Sequence, residues 1–220
     1  MTEKTAAEVC AVSEKQKKIL CLGDSNTFGY DPAGRLGGAY PPEISWIGRL
    51  QSGGWQVINN GINGSRVPVQ SEFSAFAALI ESRRPLDLIM IMYGTNDVLQ
   101  EDSAQKTGER MAQFLSFARR SADGTPLLLV APPPLSYGDW VQDAAIIEES
   151  RRLSGVYRRI ADTQKVLFAD AGAWAVSLAF DGVHFTPEGH EAFFRGLVQS
   201  LKETKGEGGI STESLRAQQR

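Results

Sequence analysis

Five runs of apolar residues set the architecture open to this chain: KILCL (18–22), WQVIN (55–59), LDLIMIMY (86–93), PLLLVA (126–131) and VLFAD (166–170). Each has the length of a strand, and each leads into turn-forming residues. Because they are apolar on both faces, they suit parallel strands covered by helices above and below better than an antiparallel sheet with one wet face. The intervening stretches, at about 43–52, 70–83, 103–121, 143–164 and 187–203, carry apolar residues at helical spacing. Strand and helix alternate throughout. The expected fold class is therefore α/β, a three-layer α/β/α domain whose strands are joined by right-handed crossovers.

A chain of 220 residues is long enough to build one such domain around a single core. We place it at 17–203, between a polar leader (1–16) and a Gly-rich polar tail (204–220) expected to be mobile. No apolar run reaches the roughly 20 residues needed to span a bilayer. The charged leader has no apolar segment of the kind a secretory signal needs, which argues for the cytoplasm. Lys and Arg number 23 against 26 Asp and Glu, and a net charge of −3 argues against a nucleic-acid partner. The two cysteines, Cys10 and Cys21, lack CxxC spacing, and two histidines are too few for a His-rich zinc site, so neither redox nor metal chemistry is expected.

In open parallel sheets, ligands bind beyond the carboxyl ends of the strands. The loops at that rim are GDSNTFGYD after the first strand, NGINGSR after the second, GTND after the third, APPPLSYGDW after the fourth and DAGAW after the fifth. Ser25 follows the first strand where a helix would start, so it is either a nucleophile placed at a helix N-terminus or a plain helix cap. In FDGVHFTPEGH (180–190), Asp181 and His184 are three residues apart, a spacing at which a carboxylate can accept the imidazole Nδ1–H and leave Nε2 free as a base. His190, beside Glu188 and Glu191, reads as a surface residue of the last helix. Three hydrogen-bond donors could serve a developing oxyanion: the Asn96 amide, the Gly64 N–H and the Ser25 N–H. Taken singly, Asn96 and Gly64 are equally well explained as turn formers.

The four blocks GDSN, NGING, GTND and DGVH, in this order and at these separations, resemble those of the SGNH (GDSL-type) hydrolases from about Lys18 to Ser200. The resemblance implies a flavodoxin-like five-stranded sheet of order 2-1-3-4-5, hydrolysis of a small-molecule ester through an acyl-enzyme, and no cofactor. Block by block, it puts the nucleophile on Ser25, the acid and base on Asp181 and His184, and the oxyanion hole on Ser25, Gly64 and Asn96, with Gly61 the competing glycine. Many members carry leucine where this chain has Asn26, and the chemistry does not call for that side chain. Candidate pocket residues are Asp24, Tyr30, Trp46, Tyr137 and Trp140, although exposed loop aromatics also serve packing. The loop at 31–45 and the tail are candidate contacts for a homo-oligomer.

Three alternatives compete. An α/β-hydrolase needs glycine two residues after its serine, but Thr27 is there, and it separates acid from base far more widely. A nucleotide-binding flavodoxin-like module lacks its motif, since GDSNTFG is neither G-x-G-x-x-G nor a Walker loop. Carbohydrate O-deacetylation and acyl transfer to an alcohol share the same triad and acyl-enzyme, and short-chain or acetyl ester hydrolysis is the least specific expectation.

Overall fold

The computed structural model describes residues 16–34 and 38–206. Five parallel strands, β1 (Lys18–Gly23), β2 (Gln56–Gly61), β3 (Leu88–Met92), β4 (Leu127–Ala131) and β5 (Leu167–Asp170), form one sheet of order β2-β1-β3-β4-β5. This is the order implied by the resemblance. Cys21 is buried in β1, while Cys10 and nearly all of the leader and tail lie outside the described residues.

The continuous apolar runs are explained by cover on both faces. Leu20, Leu22, Ile89, Ile91, Leu127 and Leu129 point to one side, where they pack on Ile80 of α3 (Phe73–Arg83), Met111 and Phe114 of α5 (Ala104–Ser121) and Leu153 and Tyr157 of α6 (Ala144–Gln164). Ile19, Cys21, Leu88, Met90, Leu128 and Val130 point to the other, against Trp46 and Leu50 of α2 (Trp46–Ser52) and Phe193 and Leu197 of α7 (Pro187–Gly206). Each large apolar side chain removed from water in this way contributes about 1.5–3 kcal/mol. The edge strand β2 keeps only Val57 buried, which accounts for its polar Gln56, Asn59 and Asn60.

Side-chain caps set where the longer helices begin. Ser45 accepts the Gly48 N–H at 3.1 Å, Ser103 accepts that of Lys106 at 3.2 Å, and Asp143 accepts that of Ala145 at 2.8 Å. The first expected helix therefore starts at Trp46 rather than 43. The second opens with a 3₁₀ turn over Gln70–Glu72, and the last continues past 203 to Gly206. Two one-turn helices complete the set: α1 (Ser25–Phe28), at the helix start expected after the first strand, and α4 (Thr95–Leu99), which was not expected. They follow β1 and β3, which are neighbouring interior strands, and carry Ser25 and Asn96.

Candidate active site

Gly23 ends β1, and the chain turns at once into α1, capped by Asp24, whose carboxylate accepts the Asn26 N–H at 3.0 Å. Ser25 is thus the first helical residue, 5 % exposed. Its Oγ lies 3.0 Å from His184 Nε2, and His184 Nδ1 lies 2.6 Å from Asp181 Oδ2. Asp181 Oδ1 also accepts the backbone N–H groups of Val183 and His184, at 2.9 and 3.0 Å. A carboxylate can only accept, so Nδ1 carries a proton, and in the neutral tautomer that this selects it is the Nε2 lone pair that faces Ser25.

Burial alone would raise the Asp181 carboxyl, but the hydrogen bonds from the His184 ring and from the His184 and Val183 amides outweigh it and hold the group below the ordinary carboxylate range. A depressed folded value means that this group's contribution to stability is present above the unfolded value and fades as pH falls through the folded one.

The loop that carries Asp181 and His184 is braced from behind by the segment after β4. Ser136, Asp139 and Trp140 donate their backbone N–H groups to the carbonyls of Gly182, Phe180 and Asp181, at 3.1, 3.0 and 3.1 Å. Trp140 meets the His184 ring edge-on at 5.2 Å, and Tyr30 packs against it at 4.5 Å. Tyr137 and Trp140 are 68 % and 57 % exposed, and Phe180, which the sequence did not single out, is 58 % exposed. Trp46 is different. It is fully buried, its indole N–H donates to the Asn26 carbonyl at 2.8 Å, and its ring lies 4.8 Å from Phe193, so it belongs to the core and lines no pocket.

Asp24 likewise faces inward, 1 % exposed, as a helix cap rather than a pocket wall. Burial pushes its carboxyl up to about 6, against the smaller opposing effect of the Asn26 N–H. A raised folded value means that the folded state loses stability as pH climbs from the unfolded value through 6, by about 3 kcal/mol in all. Asp24→Asn keeps a capping oxygen and removes the titration. In urea unfolding it should gain stability relative to wild type at pH 8 but much less at pH 4.5. A difference that does not change with pH would contradict this account.

His190 also departs from the sequence reading. It is completely buried, accepts the Trp46 N–H through Nδ1 at 3.4 Å, and packs between Tyr40 and Phe185. Burial lowers its imidazole to about 4, so it stays neutral at ordinary pH. The signal was available: Phe193 and Leu197, three and seven residues on, put His190 on the inner stripe of α7.

Of the competing glycines, Gly61 ends β2 where a Cβ would come within 2.1 Å of the Phe28 nitrogen, so the strand needs glycine there to let α1 approach. Gly64 has φ +75 and open space around it, on an exposed turn. Asn96 donates through Nδ2 to the Ser65 carbonyl at 2.9 Å, which fixes its amide beside that turn and leaves the second N–H of the NH₂ group for another acceptor. Asp97, missed in the sequence, joins the same two loops. Fully buried, it accepts the Val67 N–H at 3.0 Å and pairs with Arg110 at 2.6 Å. Among the described residues, no three His, Cys, Asp or Glu side chains cluster in a way that would hold a metal, and no helix is long and apolar enough to cross a membrane.

Known ester hydrolases resemble this chain over most of its length. The chain is 24 % identical over 205 residues to an arylesterase of Vibrio mimicus, covering 87 % of this chain and 91 % of the relative. An inhibitor-bound aryl esterase of M. smegmatis superposes with a TM-score of 0.75 at 26 % identity, covering 85 % of this chain and 99 % of the other. A carbohydrate acetylesterase family member from Sinorhizobium meliloti superposes with the same TM-score at 29 % identity, covering 87 % and 100 %. Residues 21–192 match the model of the GDSL-like lipase/acylhydrolase family, and the chain belongs to that family of SGNH ester hydrolases.

Proposed function

We propose that this enzyme is a serine esterase that cleaves carboxylic esters of short acyl groups, acetyl foremost, through an acyl-enzyme on Ser25. The observation that carries the proposal is the unbroken chain Asp181–His184–Ser25, with contacts of 2.6 and 3.0 Å. His184 Nε2 takes the Ser25 hydroxyl proton as Oγ attacks the ester carbonyl, and Asp181 stabilises the imidazolium that results. The tetrahedral oxyanion is met by the Ser25 and Gly64 N–H groups and the Asn96 amide. Collapse expels the alcohol, which receives its proton from His184. Water then gives a proton to the same nitrogen, attacks the acyl carbon, and the acid departs as Ser25 recovers its hydrogen.

The alcohol must leave within reach of His184, so the residues around that ring form the leaving-group side of the site. Tyr30 and the half-exposed Trp140 offer flat apolar surfaces there. Such surfaces suit an aryl group or the apolar face of a sugar, and the likeness to an aryl esterase and to a carbohydrate acetylesterase family member supports both. Deacetylation of a carbohydrate and acyl transfer to an alcohol are second readings of the same acyl-enzyme. The nucleotide-binding alternative falls with the family match.

Incubation with a fluorophosphonate, followed by peptide mass spectrometry, tests the nucleophile, and turnover of p-nitrophenyl acetate, p-nitrophenyl octanoate and acetylated sugars ranks the substrates. A single adduct on Ser25 and preference for acetyl esters are expected. An adduct elsewhere, or ester turnover with Ser25 unlabelled, would refute the proposal. Asn96→Ala should lower kcat by about 10²–10³-fold, the usual effect of losing one oxyanion donor. An unchanged kcat would remove Asn96 from the oxyanion hole.

A further inference from the structure

We infer that Asn26 is a positioning residue that holds His184 against Ser25 by gripping the peptide units on either side of the base. The Asn26 side chain is 3 % exposed. Its Nδ2 donates to the Val183 carbonyl at 3.1 Å, and its Oδ1 accepts the Phe185 N–H at 3.3 Å. Those partners are the residues immediately before and after His184. The backbone of Asn26 is equally committed, with its N–H on Asp24 and its carbonyl accepting the Trp46 indole. All four polar groups of the residue are therefore used, and the amide orientation follows from its partners: a carbonyl needs a donor and an N–H needs an acceptor.

The device matters because nucleophile and base lie 159 residues apart in sequence. The bracing segment at 136–140 reaches the carbonyls of Phe180, Asp181 and Gly182, and Ala179 donates to that of His184 itself. Asn26 adds bonds to the residues on either side of the base, and because it is bonded directly to Ser25, one residue couples the two reacting groups. Leucine can make neither bond. Aspartate keeps the acceptor for Phe185 but sets a carboxylate oxygen against the Val183 carbonyl. The side chain touches neither ester nor proton and acts through His184. The inference rests on the serine-esterase reading above.

In that mechanism His184 works in both half-reactions, so misplacing it slows acylation and deacylation together. The parallel loss leaves KM little changed while kcat falls. For Asn26→Leu, a fall of about 10²-fold in kcat on p-nitrophenyl acetate is expected, the scale of an ångström-sized displacement of a reacting group. Asn26→Asp should fall between Asn26→Leu and wild type. Thermal unfolding is measured for each variant, and assays are run well below its melting temperature. Unchanged kcat in folded Asn26→Leu overturns the inference, as does a loss that disappears on cooling, which would mark a role in stability alone. Should Asn26→Leu fail to fold, Asn26→Asp decides by the same criteria. Ser25→Ala, assayed in parallel, separates the two premises: if it turns over ester like wild type, the serine-esterase reading fails, whereas an inactive Ser25→Ala beside a fully active Asn26→Leu defeats only the role of Asn26.

Discussion

Ser25→Ala should lower kcat for p-nitrophenyl acetate by about 10⁶-fold, the scale seen when a serine nucleophile is removed from a triad. The change deletes one oxygen from a buried site at the start of α1. Alanine is a good helix former, and the Asp24 cap, which bonds to the Asn26 N–H, does not involve the serine side chain. The fold should therefore survive with its melting temperature nearly unchanged, so loss of rate can be ascribed to the chemistry. The remaining donors can still bind an oxyanion, which leaves a residual rate above that in water. A loss of about tenfold or less would be far too small for a covalent intermediate on this residue, and the acyl-enzyme would have to be abandoned.

Asp181→Asn is expected to cost about 10⁴-fold in kcat while leaving the geometry in place. Asparagine can keep its oxygen on the Val183 and His184 amides, where Asp181 Oδ1 now sits, and so turn its NH₂ toward His184 Nδ1. That nitrogen must then accept, which moves the ring proton to Nε2 and aims an N–H, in place of a lone pair, at Ser25. Because hydrogen bonds hold the Asp181 carboxyl below its ordinary range, the native lock stays ionised well into acid. The check is kcat across a pH series for the variant beside wild type, with circular dichroism to verify folding. A variant retaining most of its rate would show that the acid neither sets the tautomer nor stabilises the imidazolium.

The parts of this structure legible in the sequence were those governed by local pattern. Runs such as LIMIM and LLLVA are apolar at every position because helices cover both sheet faces, so β3 and β4 could be read directly. The Asp181–His184 pair was legible because its spacing is short and its chemistry particular. What escaped was set by partners distant in the chain. Trp46 looked like a loop aromatic at a rim, yet the Asn26 carbonyl and Phe193 draw it into the core. The acidic neighbours of His190 suggested an exposed face, whereas the helical stripe through Phe193 and Leu197 turns it inward. No local pattern marks Asn26, because its partners Val183 and Phe185 lie 157 and 159 residues away.

Ser25 lies early in the chain and His184 late, and this fixes the sequence of events during synthesis. The Ser25 hydroxyl is made with the first strand, and all five strands have been polymerised by Asp170, before the His184 imidazole is added. A nascent chain at that stage carries an ordinary, inert hydroxyl. On the serine-esterase reading proposed above, hydrolytic competence is thus acquired after the strands, when the residues that fold back over α1 leave the ribosome.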